Sequence, residues 1–518
     1  MMQLSRPAIS LAGRCCRKSP SIVRFVATRW QSTSPSIPSS QPFETRKWST
    51  PLAKDLAEAI TLTGPIPVAS YMRQCLTSPD GGYYTTKSSQ GGDQFGAKGD
   101  FVTSPEISQV FGELVGLWVV AEWMAQGKRG DGVHIIEVGP GRGTLMDDML
   151  RTISNFKPLA NAIVTIYMVE ASKPLREAQH KLLCGDAALK EIDLGFQSQS
   201  KYSGAQRIVW CEDMKFVPKD TNSTPFIIAH EFFDALPIHI FHSVSPSPSS
   251  SQANTITTST SQPPPPPTYT LPSSNKPKPN EWRELLVTPT SPTTITFTTS
   301  SPKENTHTPD FDLLLSKLPT PHSSYLPQTS SRYKSLLPHK DSIIEISPES
   351  LTTAADFAVR IGGSANSPKA KPSGAALILD YGPTSTIPTN SLRGMKAHKP
   401  VSPFSLPGLV DISADVDFTG LAEAAIHASP GVEVHGPVEQ ALFLTSMGIQ
   451  QRAEALRKKA AGDREAADRI ELGWKRLVDR GPTGMGRIYK AMAIVPHVPD
   501  GGKKDPRRPV GFGGDVVV

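Results

Sequence analysis

Ile135-Ile136-Glu137-Val138-Gly139-Pro140-Gly141-Arg142-Gly143-Thr144-Leu145 begins as an apolar run, turns on three glycines and continues into an amphipathic segment from Leu145 to Ile153. The pattern predicts strand, tight turn and helix, the opening unit of a nucleotide-binding α/β sheet. Glycine suits such a turn because the backbone must reach positive φ cheaply and because a Cβ would keep a ligand off the chain.

The spacing selects among ligands. A dinucleotide turn reads G-x-G-x-x-G and offers its helix N-terminus to a pyrophosphate. Here the order is Glu-x-Gly-x-Gly-x-Gly, and Glu137, two residues before the first glycine, would repel a phosphate. The same acid suits a ligand that carries a sulfonium cation and an amino group. The turn is therefore read as a site for S-adenosylmethionine, with Glu137, Gly139, Gly141 and Gly143 as cofactor-binding residues.

Working outward, Ala162 to Val169 reads as a second buried strand ending in Glu170, a carboxylate placed to accept both ribose hydroxyls of an adenosine. That feature fits S-adenosylmethionine or NAD. Arg207 to Trp210 is a third strand followed by Cys211-Glu212-Asp213-Met214, where Asp213, with Glu212 as its rival, is the candidate partner of the adenine amino group. Phe226 to Ala229 is a fourth strand that runs into His230-Glu231-Phe232-Phe233-Asp234-Ala235-Leu236-Pro237. Ligands of open parallel sheets sit beyond the carboxyl ends of strands where the strand order switches, so this octet is expected to face the transferred methyl group.

Transfer from sulfonium to nitrogen is an in-line displacement that depends on positioning. For a guanidinium acceptor, a bidentate carboxylate grip from Glu231 and Asp234 would orient the attacking nitrogen. Phe232 or Phe233 could stack on the planar cation, or simply pack in the core. His230 is either a proton relay, as the side chain that titrates near neutrality, or a satisfied polar residue at a strand end. Asp380, at the end of the strand Ala375 to Tyr381, is a second acceptor-pocket candidate against a capping role. Glu106 follows Ser104-Pro105 at a predicted helix start, where it either favours the positive end of the helix or helps to close over the cofactor.

Composition sets the boundaries. Residues 1–43 carry Arg6, Arg14, Arg17, Lys18, Arg24 and Arg29 and no acid, as a mitochondrial transit peptide does. The net charge of +6 thus resides in that segment, and the rest of the chain is close to neutral, without the basic stripe of a nucleic-acid binder. Five cysteines, Cys15, Cys16, Cys75, Cys184 and Cys211, share no metal or redox spacing, so neither a disulfide framework nor a zinc site is expected. No apolar run reaches the roughly 20 residues of a membrane span.

From Ser243 to about Pro309 the chain collapses into Ser, Thr and Pro, with five consecutive prolines from Pro263. This predicts a mostly disordered insertion over 243–341, with Glu281 to Val287 as a strand-like island, between methyltransferase segments 50–242 and 342–496 and before a disordered tail, 497–518.

Six stretches together resemble the MidA-type class I methyltransferases: Gly99 to Ser108, Glu137 to Leu145, His230 to Pro237, Leu379 to Gly382, Asp411 to Phe418 and Met485 to Ile494. The resemblance implies a Rossmann-like α/β fold with a mostly parallel seven-stranded sheet and helical N-terminal additions. It further implies a mitochondrial matrix address and type II, symmetric dimethylation of an arginine on a respiratory complex I subunit during complex I assembly. Two features depart from the family: His230 stands where the family has Asn, and the Ser/Thr/Pro insertion is longer than the family loop. Two other functions compete. One is a nucleic-acid amino-methyltransferase, which the missing Pro-Pro-aromatic motif disfavours; the other is an assembly chaperone that binds a subunit without chemistry.

Overall fold

The computed structural model describes residues 46–86, 99–100, 102–130, 132–202, 206–245, 279–291, 309–497 and 507–513. The chain divides into two units, 1–47 and 48–518, and the second carries the fold. The presequence expected over 1–43, Phe101 and the proline tract from Pro263 lie outside the described residues.

The main sheet is built from β1 (Val133–Val138), β2 (Ile163–Val169), β3 (Lys190–Ile192), β4 (Gly195–Gln199), β5 (Arg207–Cys211), β6 (Thr224–His230), β7 (Ala375–Tyr381), β8 (Val432–Glu439) and β9 (Tyr489–Pro496). Their spatial order is β8-β9-β7-β6-β1-β2-β5-β4-β3. The central five strands, β7 to β5, are parallel, whereas β8, β9, β4 and β3 pair antiparallel. The expected seven-stranded, mostly parallel sheet is thus corrected to nine strands among the described residues, with parallel pairing confined to the middle. The additional pair is the β3–β4 hairpin on the β5 edge, whose strands are too short and polar to register in the apolar pattern.

Alternation along each strand sorts the core into two layers. Ile135, Ile166, Met168, Ile228 and Leu377 pack against the helices Gln109–Ala125 and Thr144–Ile153 on one face. Ile136, Val138, Ile227, Ala229 and Ile378 meet the helices Pro348–Gly362 and Phe418–Ala428 on the other. The helix that starts at Ser104 breaks at Ser108, whose hydroxyl accepts from Val110 N–H and opens a new helix. Two further helices, Ile449–Lys459 and Arg464–Val478, follow one another near the end of the chain, with Asp463 capping the second.

A second, antiparallel sheet revises the reading of the insertion. Its central strand is Glu281–Pro289, paired with His239–Val244, Phe311–Leu315 and the short Ile66–Pro67, while Ile343–Ile346 joins beside His239–Val244. Registers run to the ends, with Val244 opposite Glu281 and Phe311 opposite Pro289. In the sequence the two Ser/Thr/Pro tracts fall between these paired strand ends, and lie almost wholly outside the described residues. The strand-like island expected at Glu281 to Val287 is the strand Glu281–Pro289, whereas the expected disorder does not hold for 309–341: Leu326 and Tyr333 are buried with Trp282, Phe241, Ile344 and Ile346. Averaging over a polar window hid those anchors. The tail is corrected in part too, since Phe512 packs on Phe443 at 5.6 Å and Arg507 pairs with Glu122. The N-terminal helices Pro51–Thr63 and Val68–Thr77 bury Leu56, Tyr71 and Met72 against Ile240, Val287 and Ile412. Among the described residues, no helix is long and apolar enough to cross a membrane.

Candidate functional site

The carboxyl ends of β1, β2, β5 and β6 converge. Gly139 N–H donates to Val169 O at 3.2 Å and Glu170 N–H to Cys211 O at 2.8 Å, so the turns after three adjacent strands lie side by side. The three glycines of the turn are left-handed, with φ of 65° at Gly139, 54° at Gly141 and 84° at Gly143. A Cβ on Gly139 would stand 2.9 Å from Phe232 Cδ2, so this glycine is needed for close approach as well as for its dihedral.

Above the turn lies a chamber of about 820 Å³. Its wall includes Glu137, Gly139, Gly141, Glu170, Glu212 and Asp213, together with His230, Glu231 and Phe232. Gly143 is outside the wall; it caps the helix Thr144–Ile153 and packs on Gln179. Gln179 ties the floor together, donating to Gly141 O at 2.6 Å and to Glu170 Oε2 at 3.2 Å while accepting from Trp210 Nε1 at 3.0 Å. Glu106 Oε1 accepts from the Thr144 hydroxyl at 2.9 Å, and its Oε2 pairs with Arg142 at 3.3 Å. The helix-start acid thus braces the glycine turn and also lines the chamber.

Electrostatics mark this chamber as a place for positive charge. Glu137 is buried and its Oε2 has no hydrogen-bond partner. Burial first, then the nearby Glu170, pushes its carboxyl up to about 8. Burial raises Glu170 to about 7, against the donors Ser172 N–H and Gln179. Asp213 differs: half-exposed and hydrogen-bonded to Lys215, its carboxyl lies below the usual range. Glu212 and Asp213 both reach the wall, so the geometry leaves that pair undivided.

A second chamber of about 620 Å³ lies beside the first and shares Tyr84 and Glu231 with it. Glu231 closes β6 at φ 48°, a left-handed conformation that costs a non-glycine residue of the order of 1–3 kcal/mol. The turn is held from β7: Glu231 N–H donates to Leu379 O at 2.9 Å, and the amides of Phe232 and Phe233 donate to Asp380 Oδ2 at 3.1 and 2.9 Å. Asp380 therefore takes the capping role and lines neither chamber. Burial, followed by the charges of Asp234 and Asp380, holds the Glu231 carboxyl well above the ordinary carboxylate range, and the Ser104 amide opposes this.

Asp234 lines the second chamber and accepts from the Tyr381 hydroxyl. Asp411 and Asp415 complete an acidic wall, with the Tyr84 hydroxyl donating to Asp411 at 3.1 Å and Arg393 holding Asp415 at 2.7 Å. Tyr381 and Tyr489 meet edge to face at 5.2 Å. None of Tyr84, Tyr381, Arg393, Asp411, Asp415 or Tyr489 was picked as a site residue from the sequence; the Gly81-Gly82-Tyr83-Tyr84 loop was the available signal. The two phenylalanines divide: Phe233 takes the core-packing role, buried against Phe357, and Phe232 faces the first chamber. The relay expectation for His230 is corrected, because burial pulls it down to about 3. It packs on Phe111 at 5.1 Å, 3.3 Å from a carboxylate oxygen of Glu231, and stays neutral.

A family model of S-adenosyl-L-methionine-dependent methyltransferases matches residues 114–438. The chain is similar to "Protein arginine methyltransferase NDUFAF7, mitochondrial" from Rattus norvegicus, 34% identical over 86% of this chain and 85% of that one. The Homo sapiens protein of the same name is 30% identical over 94% and 91%. Among solved structures, a methyltransferase-like protein from Burkholderia thailandensis bound to S-adenosyl-homocysteine superposes with a TM-score of 0.55 at 20% identity, covering 86% of this chain and 92% of that one.

Proposed function

Starting from a chain that belongs to the S-adenosyl-L-methionine-dependent methyltransferase family, we propose that it is a mitochondrial protein-arginine N-methyltransferase of type II. Its acceptor would be an arginine on a complex I subunit, modified in the matrix during complex I assembly. The observation that carries this reading is Glu231, a buried acid in a strained turn, facing one chamber that suits a sulfonium and a second lined by carboxylates.

In this reading S-adenosylmethionine occupies the first chamber and supplies the methyl group. Glu137, the glycine turn, Glu170 and Asp213 hold it, and the raised carboxyls of Glu137 and Glu170 ionise against a cationic ligand. The acceptor guanidinium enters the second chamber, where Glu231 and Asp234 grip it and Tyr381 and Tyr489 flank it. One N–H proton must leave the attacking nitrogen. Glu231, which holds protons more tightly than an ordinary carboxylate, suits that role; His230, held near 3, does not. The arginine assignment also draws on the names of the similar proteins.

The test is to incubate the purified chain with methyl-labelled donor and complex I subunits from mitochondria that lack it. The expected result is label in arginine, recovered after hydrolysis as symmetric dimethylarginine. Asymmetric product would overturn the type II assignment. Donor binding without any transfer would favour the chaperone reading, and label in RNA or DNA the nucleic-acid one.

A further inference from the structure

Away from both chambers, three metal-capable side chains from separate segments of the second sheet and its flanking helix bring their ligand atoms within 4.8 Å of one another: His239, Glu284 and His322. His239 opens the strand His239–Val244, Glu284 lies on the neighbouring Glu281–Pro289, and His322 is on the short helix Pro321–Tyr325. Sequence spacing gave no hint of this cluster, because 83 residues separate its first and last members.

Glu284 is fully buried, with Oε1 2.7 Å from His239 Nδ1 and Oε2 3.6 Å from His322 Nδ1. The two imidazoles face each other at 4.3 Å with their planes 40° apart. Two ligands bound at about 2.0–2.1 Å to a tetrahedral ion stand about 3.3 Å apart, so the observed separations bracket what an ion requires. The Thr320 hydroxyl donates to Glu284 Oε2, the kind of outer contact that fixes a ligating carboxylate. His322, about half-exposed, leaves a path from solvent and room for a water in the fourth position. A simple carboxylate–imidazole hydrogen bond accounts for His239 alone. It gives no reason for a second ring, from another segment, to turn Nδ1 toward the same carboxylate beyond hydrogen-bond distance.

The geometry points to a site for a divalent late first-row metal, zinc by its mixed imidazole and carboxylate donors, that clasps the helix Pro321–Tyr325 to the second sheet. The expectation of no zinc site rested on cysteine spacing and did not reach a His/Glu set. To test it, the full chain is purified without a histidine tag, stripped with EDTA, dialysed against micromolar zinc and analysed by mass spectrometry for metal. Cobalt substitution is read by visible absorption. One equivalent of zinc, a cobalt d–d band and a higher Tm than the stripped protein are expected. His322→Ala removes a half-exposed ring and should lose the equivalent while keeping S-adenosylhomocysteine affinity; Glu284→Gln should lose it too. Wild-type protein holding less than about 0.2 equivalent, or His322→Ala retaining the full equivalent, overturns the proposal.

Discussion

The two chambers that meet at Glu231 are assembled by opposite rules. The first is walled mainly by the tips of neighbouring parallel strands, so Glu137, Glu170, Glu212, Asp213 and Glu231 follow in chain order, with Glu106 and Glu349 added from two helix starts. The second draws Tyr84 from the N-terminal additions, Tyr381 from β7, Arg393, Asp411 and Asp415 from the segment after it, and Tyr489 from β9. Their electrostatics differ accordingly. Each chamber keeps a buried carboxylate oxygen without a hydrogen-bond partner, Glu137 Oε2 in the first and Asp234 Oδ1 in the second. In the second, however, Arg393 holds Asp415 and, with Tyr381, opposes the rise that burial imposes on Asp234, whereas Glu137 is raised by burial and by Glu170. A chamber for a fixed cofactor can leave an acid waiting for the ligand's charge; a chamber for a protein side chain can have some of its acids oriented beforehand by neighbours.

The strongest way to break this contrast is Gly139→Val. The left-handed φ of 65° and the approach to Phe232 together cost about 3–4 kcal/mol, so donor affinity should fall about 10²–10³-fold. Calorimetry with S-adenosylhomocysteine measures it, and an unchanged affinity would remove the first chamber as the donor site. Next in size is Glu231→Gln, which keeps shape and removes charge at the shared wall. Turnover should drop about 10²-fold, the low end of the loss expected when one member of a buried charge pair is removed, with donor affinity preserved within about threefold. Equal losses in both measurements would mean that Glu231 belongs to the donor chamber alone.

The same contrast explains what could be read from the chain before its structure. The first chamber was legible because a strand, a glycine turn and a strand-end acid are each local patterns, and parallel order brings successive strand ends together. Glu137, Glu170, Asp213 and Glu231 reach its wall for that reason. The second was not legible, since nothing local to Asp411 or Tyr489 says that they lie opposite each other. His230 and Phe233 each stood between two roles because residue type suggests what a side chain can do, while burial decides whether it does. The β3–β4 hairpin and the strand Phe311–Leu315 escaped for a third reason: each is short and set among polar residues, so its partner strands, not its own sequence, make it a strand.

The smallest effect is the most discriminating. Glu137→Gln should weaken donor binding about tenfold at pH 9 and hardly at all at pH 6, because the wild-type carboxyl holds its proton until about pH 8. Wild-type affinity should therefore rise between pH 6 and 9 and level off above, and the variant should keep only the part of the rise that Glu170 supplies near 7. Stability must move the other way. A carboxyl that titrates at its ordinary value when unfolded and at about 8 when folded gives the native state the extra proton between those values. Native stability is then lost as pH rises through that window, and the loss is complete above about 8. The ligand-free variant should accordingly melt a few degrees above wild type at pH 9 and equal to it at pH 4. A donor affinity independent of pH, with no gain in melting temperature at pH 9, would mean that Glu137 is already neutralised in the free protein, and the electrostatic distinction between the chambers would fail.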